Sequence, residues 1–226
     1  MRVKICGIRR PDDALTAARL GADAVGVLVG QLHPSAHFVS AADARAILAT
    51  LPPFVSGVLV SHLSEPSALL ALINQVRPAA VQIHSPMAVD AVAQVRRLHP
   101  GLTLIKAVHC DQADPVALVE RYAAVVDGVV ADSSNPSTGQ VGGTGLTHDW
   151  NQTARLVQQS STPVLLAGGL NPDNVRQAIA RVNPWGVDVN SGVKGSDGFQ
   201  CLKRMAEFIA LAKSDEGRNN QPSQRR

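Results

Sequence analysis

The chain has 226 residues, a formal net charge of +3 and a hydrophobic fraction of 45%, a composition typical of a globular protein with a large core. No stretch of the sequence reaches the roughly 18 uninterrupted apolar residues of a membrane span. Aromatic residues make up only 3%, which argues against a nucleic-acid surface, whereas the mild basic balance suits an anionic small ligand. The three cysteines are odd in number and far apart, which favours a reducing, cytoplasmic location over a disulfide framework.

Short runs of β-branched residues alternate along the chain with longer stretches rich in Ala and Leu. Such continuous apolar runs are typical of parallel strands that are buried on both faces. Eight strands are predicted, at Val3–Cys6, Ala24–Val29, Val55–Val60, Ala80–His84, Thr103–Val108, Gly128–Asp132, Pro163–Ala167 and Gly186–Val189. Eight helices are predicted, at Asp12–Leu20, Ala41–Ala49, Pro66–Val76, Ala88–Leu98, Pro115–Ala123, Trp150–Gln158, Pro172–Arg181 and Phe199–Leu211.

Strict alternation of strands and helices indicates right-handed βαβ units. Eight such units in a chain of this length predict a single (β/α)₈ TIM barrel of the α/β class, with a doubly wound open sheet as the alternative. The barrel is expected to span residues 1–213. Residues 214–226 are polar and lack an apolar face, so they are expected to form a disordered tail.

Two glycine-containing segments follow the last two predicted strands. LAGGLNPDN places Gly168 and Gly169 after the seventh strand, and VDVNSGVKG places Asn190, Ser191 and Gly192 after the eighth. Barrels build phosphate sites from these two loops, because glycines let the backbone approach an anion and helix N-termini favour its charge. The two segments together predict a phosphate site.

Cys6 and Asp132 end the first and sixth predicted strands. A thiolate is a competent base when neighbouring charges lower its pKa from about 8.5. A partly desolvated carboxyl group can stay protonated and act as an acid. An acid and a base across the mouth of a barrel suit an isomerisation, although a cysteine at a strand end is also compatible with inert packing.

The sequence contains the segments VKICGI, GADAVGV, VQIH, ADS, GGTG followed by HDW, LAGGLNPDNV and GVDVNSGV. In their order and spacing, from residue 3 to about residue 212, these segments resemble the phosphoribosylanthranilate isomerase family of tryptophan biosynthesis. The resemblance implies an Amadori rearrangement of a small phosphoribosylamine, without cofactor, metal, nucleic acid or membrane. It implies that Asp132 protonates the furanose ring oxygen and that Cys6 abstracts the C2′ proton. It assigns His84 and Asp188 to the substrate pocket, and it leaves open a monomer or a homodimer.

The main departure from the family pattern lies after the second strand. After the second strand the family usually carries Ser-Pro-Arg, whose arginine is expected to hold the anthranilate carboxylate, whereas this chain reads HPSAHFVS with His37 at that place. An imidazole does not reproduce a bidentate guanidinium contact. Either His33, His37 or Arg9 serves the carboxylate, or the chain is a paralogue that acts on another phosphoribosylamine.

Other classes of barrel protein stay open at this point. A Schiff-base aldolase needs a lysine on a strand, and Lys106 is the candidate. A metal-dependent epimerase would recruit His84, Asp132 and Asp188, although no dense ligand cluster stands out. A non-catalytic protein that binds a phosphorylated ligand would tolerate the loss of Cys6 and Asp132.

Overall fold

The computed structural model describes residues 1–30, 37–109, 114–132, 134–135, 140–141 and 149–214. The strands are β1 Arg2–Ile5, β2 Ala24–Val29, β3 Ser56–Ser61, β4 Ala80–Ile83, β5 Thr103–His109, β6 Gly128–Asp132, β7 Ser134–Asn135, β8 Gln140–Val141, β9 Val164–Leu166 and β10 Gly186–Val189. The helices are α1 Pro11–Arg19, α2 Ala41–Ala49, α3 Pro66–Val76, α4 Val89–Leu98, α5 Pro115–Tyr122, α6 Trp150–Gln159, α7 Val175–Val182 and α8 Leu202–Lys213.

Eight parallel strands form a closed barrel in the order β1-β10-β9-β6-β5-β4-β3-β2, and β7 and β8 form a separate two-stranded ribbon after β6. The barrel closes where β1 pairs with β10, with Arg2 opposite Gly186 and Ile5 opposite Val189. The predicted (β/α)₈ barrel is therefore confirmed, and the open sheet is wrong.

Alternating residues of each strand face opposite sides of the barrel wall. On β1, Val3 and Ile5 pack in the large core between the strands and the helices. Cys6 instead belongs to a smaller apolar cluster with Leu28 and Val58, which lies on the other side of the wall. Since full burial of a Val, Leu or Ile side chain stabilises a fold by roughly 1.5–3 kcal/mol, the outer layer supplies most of the apolar stabilisation.

Two helices begin later than the sequence indicates. The predicted start of the seventh helix at Pro172 is wrong because Asn171 and Asn174 close a turn, in which the Asn171 Oδ1 accepts hydrogen bonds from the amides of Asp173 and Asn174. The predicted start of the last helix at Phe199 is wrong because residues 194–200 fold back, and Lys194 forms an antiparallel bridge with Gln200.

None of the described helices is long and apolar enough to cross a membrane. The predicted tail, residues 214–226, lies outside the described residues except for Ser214.

Candidate active site

The Cys6 thiol lies at the carboxyl end of β1, at the mouth of the barrel. Its amide donates a hydrogen bond to the Val189 carbonyl across a distance of 2.8 Å, which ties the residue to the end of β10. The residue is buried. Burial raises the pKa of the thiol to about 11, and the neighbouring Lys4 opposes this rise. The free thiol is therefore protonated at neutral pH, and the cation beside it favours the thiolate form.

Lys4 faces the same side of β1 as Cys6 and is one of the most completely buried side chains in the described part of the protein. Its Nζ lies 2.6 Å from the Asp188 Oδ2 on the neighbouring strand β10. Although burial works to lower the pKa of Lys4, the charges of Asp188 and Cys6 raise it overall, so the amine stays protonated. The second carboxylate oxygen of Asp188, Oδ1, is buried and makes no hydrogen bond with the described residues.

Asp132 ends β6 and is buried beside a row of rings at the mouth. Its Oδ2 lies 3.5 Å from the His84 Nε2. The His84 ring stacks on His62, with centroids 5.0 Å apart and an interplanar angle of 7°. His109, opposite Asp132 in the pairing of β5 with β6, lies with its ring centroid 6.0 Å from that of His84. This part of the mouth therefore places the Asp132 carboxyl group beside three imidazole rings.

Asp188 interacts electrostatically both with Cys6 and with the pair of Asp132 and His84. Its charge acts on the Cys6 thiol, and the charges of Asp132 and His84 act on Asp188 in turn. The candidate base, the candidate acid and the two candidate pocket residues therefore share one end of the barrel.

The two glycine loops lie side by side after β9 and β10. Gly168 and Gly169 have φ angles of 82° and 65°, in the left-handed region that glycine adopts without strain. Ser191 begins a short 3₁₀ helix that continues to Val193. Gly192 packs so closely that a Cβ there would lie 1.8 Å from the Leu170 carbonyl oxygen. The amides of Gly168, Gly169, Ser191 and Gly192 donate to no backbone acceptor in the described part of the chain, so they are available to an anion.

Glycine is also needed where β1 and β2 meet the site. Gly7 has a φ of 70°, and a Cβ there would lie 2.2 Å from the Asn190 Oδ1. On β2, a Cβ at Gly26 would lie 2.9 Å from the Cys6 Sγ. The glycines of KICGI and GADAVGV therefore make room for Asn190 and for the thiol.

His37 follows β2 and lies against the loop that follows β10. Its Nδ1 is 2.5 Å from the Lys194 Nζ. Burial and the nearby Lys194 and Arg9 cations lower the pKa of His37, so the neutral imidazole accepts the hydrogen bond. The Arg9 guanidinium is used elsewhere, because it donates to the Gly198 carbonyl and lies 4.0 Å from the Phe199 ring centroid.

The sequence-based candidates gather at one mouth, namely Cys6, His37, His84, Asp132, Gly168, Gly169, Asp188, Asn190, Ser191 and Gly192. His33 and Cys110 lie outside the described residues. Sequence reasoning missed Lys4, His62 and Lys194. The sequence does contain a signal for Lys4: it lies two residues before Cys6 on an otherwise apolar strand, and residues i and i+2 of a strand face the same side.

Lys106 does not lie where a Schiff-base lysine would be needed. Its Nζ lies 5.5 Å from the ring centroid of Tyr122 on α5, outside the barrel wall, and donates to the Ala107 carbonyl. Burial lowers its pKa to about 8. The aldolase alternative is therefore wrong on position. Within the described ranges, no group of three or more His, Cys, Asp or Glu side chains is arranged to hold a metal ion.

Several known proteins are similar to this chain both in sequence and in fold. The sequence profile of N-(5′-phosphoribosyl)anthranilate (PRA) isomerase matches residues 3–210. N-(5′-phosphoribosyl)anthranilate isomerase 2 of Methanosarcina mazei is 39% identical, with 95% of each chain covered. The crystal structure of the Thermotoga maritima isomerase has a TM-score of 0.80 at 35% identity, covering 94% of this chain and 98% of that one.

Two further crystal structures cover the same shares of the chains. One, at 33% identity and a TM-score of 0.77, holds reduced 1-(o-carboxyphenylamino)-1-deoxyribulose 5-phosphate. The other, at 32% identity and a TM-score of 0.75, is of monomers generated from the dimeric Thermotoga maritima isomerase. With a family match over nearly its whole length, this chain belongs to the N-(5′-phosphoribosyl)anthranilate isomerase family.

Proposed function

We propose that this chain converts N-(5′-phosphoribosyl)anthranilate to 1-(o-carboxyphenylamino)-1-deoxyribulose 5-phosphate by an Amadori rearrangement. The observation that carries the proposal is that a thiol and a carboxyl group, Cys6 and Asp132, stand at the carboxyl ends of β1 and β6 at one mouth of the barrel, and that each is linked electrostatically to Asp188 on β10. Family membership supports the choice of substrate.

In the first step, Asp132 acts as the general acid. Its protonated carboxyl group gives a proton to the furanose ring oxygen, the bond from that oxygen to C1′ breaks, and the nitrogen lone pair forms a cationic imine with C1′. His84, 3.5 Å from the Asp132 Oδ2, orients the carboxyl group. General acid–base groups of this kind typically contribute a rate factor of about 10²–10⁴.

In the second step, the Cys6 thiolate acts as the general base. It takes the proton from C2′, and the bond electrons neutralise the imine to give an enolamine, which tautomerises to the ketone. A thiol with a pKa of about 11 needs help to lose its proton. Lys4 provides one cation beside it, and the imine formed in the first step adds a second positive charge at the moment when the base is needed.

The remaining groups hold the sugar phosphate. The Asp188 Oδ1 and the His84 Nδ1 are buried without hydrogen-bond partners among the described residues, and substrate hydroxyl groups would satisfy them. The amides around Gly168, Gly169, Ser191 and Gly192 would hold the phosphate. Asn190, whose Oδ1 is also buried without such a partner, completes this side of the site.

The test is turnover of N-(5′-phosphoribosyl)anthranilate, followed as the change in fluorescence of the anthranilate ring. Cys6→Ser and Asp132→Asn should each lower kcat by about 10²–10⁴-fold, with little effect on folding. Cys201→Ser and the exposed Asp90→Asn are the matched controls and should retain activity. Absence of turnover by the folded wild-type protein would refute the function, and full activity of either site variant would refute the role of that residue.

The proposal includes a homodimer, in keeping with the dimeric relative. Phe54 is fully exposed, which is unusual for a large apolar side chain. Its φ of 71° lies in the left-handed region that non-glycine residues rarely adopt. Next to Phe54 in the chain, Val55 lines a cavity of about 280 Å³ whose walls include the apolar side chains of Leu48, Leu51 and Val76, and this cavity would accommodate the Phe54 side chain of a second copy. Light scattering should show a dimer that Phe54→Glu converts to a monomer, and a monomeric wild type at micromolar concentration would contradict the assignment.

A further inference from the structure

The substrate of the proposed reaction carries a second anion besides its phosphate, the carboxylate on the anthranilate ring. A carboxylate that enters a partly desolvated mouth needs a cation or strong hydrogen-bond donors. The described part of the mouth offers three cationic side chains for this purpose: Lys4, Arg9 and Lys194. Lys4 is paired with Asp188 at 2.6 Å, and the Arg9 guanidinium is held by the Gly198 carbonyl and the Phe199 ring.

Lys194 differs from Lys4 because no carboxylate among the described residues lies within ion-pair distance of it. It differs from Arg9 because, in the same part of the chain, no backbone carbonyl or aromatic ring holds its ammonium group. Its ammonium group contacts the neutral His37 ring at 2.5 Å. The residue is half-buried, and burial together with the nearby Arg9 lowers its pKa to about 8. A cation that is desolvated without a counter-charge gains more from an incoming anion than a solvated surface lysine does.

The backbone holds Lys194 over the reacting end of the site. Its bridge with Gln200 closes the segment that follows the 3₁₀ helix. The Gln200 Nε2 donates to the carbonyl oxygens of Cys6 and Gly7, each at 2.9 Å. This anchor fixes Lys194 relative to the candidate base, and the Cys6 thiol in turn acts on the pKa of Lys194.

The direction of the Lys194 side chain places its ammonium group away from the phosphate loops. Those loops follow β9 and β10, whereas Lys194 reaches His37, which follows β2 on the far side of β1 in the barrel order. The ammonium group therefore lies on the side of Cys6 away from Gly168 and Gly169. A substrate with its phosphate on the glycine loops and its C2′ at Cys6 would present the aromatic ring toward Lys194.

We propose that the Lys194 ammonium group, oriented by His37, binds the carboxylate of the aglycone and makes this site specific for a phosphoribosylamine with an ortho-carboxylated ring. The inference rests on the proposed function and deepens it. It assigns to the loop after β10 a contact that the resemblance placed at residue 37. His37 is then a positioning residue, and Lys194 is the group that touches the substrate.

The experiment compares, by calorimetry, the binding of two ligands to the wild type, to Lys194 variants and to a Lys203 control. The probes are the reduced product analogue that carries the carboxylate and the same compound with phenylamine in place of the carboxyphenylamine. Lys194→Met should weaken binding of the first about 10- to 150-fold, the effect of losing a hydrogen bond to a charged group. It should change binding of the second less than about threefold, since uncharged contacts are retained. Lys203→Met, on the exposed face of α8, is the control and should change neither.

The role of Lys194 and the isomerase function on which it rests are refuted by different results. Equal weakening of both ligands, or no weakening of either, would overturn the role of Lys194 while turnover by the wild type still supports the isomerase. Failure of the wild type to turn over phosphoribosylanthranilate would refute the function by itself. Lys194→Gln, a second variant without the charge, guards against a folding defect and should reproduce the selective loss.

Discussion

The buried ion pair between Lys4 and Asp188 provides a quantitative test of the site, and we expect Lys4→Met to be severe. The two side chains are 2% and 7% exposed, and the atoms Nζ and Oδ2 lie 2.6 Å apart. Removing one partner of a buried pair leaves an uncompensated charge and costs about 3–5 kcal/mol. This is a large share of the 5–15 kcal/mol that typically stabilises a domain.

The assay is urea unfolding of wild type, Lys4→Met, Asp188→Asn and the double variant. Each single variant should lose about 3 kcal/mol or more of unfolding free energy. The double variant should lose clearly less than the sum of the two, because its second substitution removes a charge that no longer has a partner. A loss below about 1 kcal/mol in Lys4→Met, or strict additivity, would refute the buried pair.

The same substitution should alter the thiol. Since Lys4 works to lower the pKa of Cys6, Lys4→Met should raise it further. Alkylation of Cys6 by iodoacetamide at pH 9 should then be slower in Lys4→Met than in wild type, measured with Cys110 and Cys201 replaced by serine. An unchanged or faster rate would show that Lys4 does not stabilise the thiolate.

Three further predictions concern other parts of the molecule. The buried Lys106 has a folded-state pKa of about 8 against the usual 10.5, so it destabilises the fold by about 3 kcal/mol at pH 7 and by progressively less as the pH rises from 8 to 10.5. Lys106→Met should therefore raise the unfolding free energy more at pH 7 than at pH 10, and an equal effect at both would contradict this. Gly192→Ala should raise KM for the substrate at least tenfold, because its Cβ would lie 1.8 Å from the Leu170 carbonyl oxygen; an unchanged KM would remove Gly192 from the phosphate site. Because Lys194 has a pKa of about 8, the carboxylated analogue should bind more weakly as the pH rises above 8. The same titration on Lys194→Met should lack this dependence, because the lowered pKa of His37 leaves that ring neutral throughout the range.

The sequence predicts the barrel and the ends of its strands well, because alternating strand and helix patterns are local. Cys6, Asp132 and the glycine loops were found because residues after parallel strands must meet at one mouth. Contacts between distant parts of the chain were not predictable in this way. Lys4 pairs with a carboxylate 184 positions away, and Lys194 contacts an imidazole 157 positions away.

The late starts of α7 and α8 have a similar explanation. The side chains of Asn171 and Asn174 satisfy backbone amides before the helix begins, and such local competition is invisible to apolar periodicity. Gln200 falls within the predicted last helix, but its side-chain Nε2 instead donates hydrogen bonds to the carbonyl oxygens of Cys6 and Gly7.

The most direct test of the account is a single-turnover experiment with substrate deuterated at C2′, because it separates the acid from the base. If Asp132 opens the ring and Cys6 then removes the C2′ proton, Cys6→Ser should be slow with a full primary isotope effect, since its proton abstraction limits the rate. Asp132→Asn should be slow without an isotope effect, since ring opening limits the rate. The reverse pattern would exchange the two roles, and wild-type rates in both variants would contradict the proposed mechanism altogether.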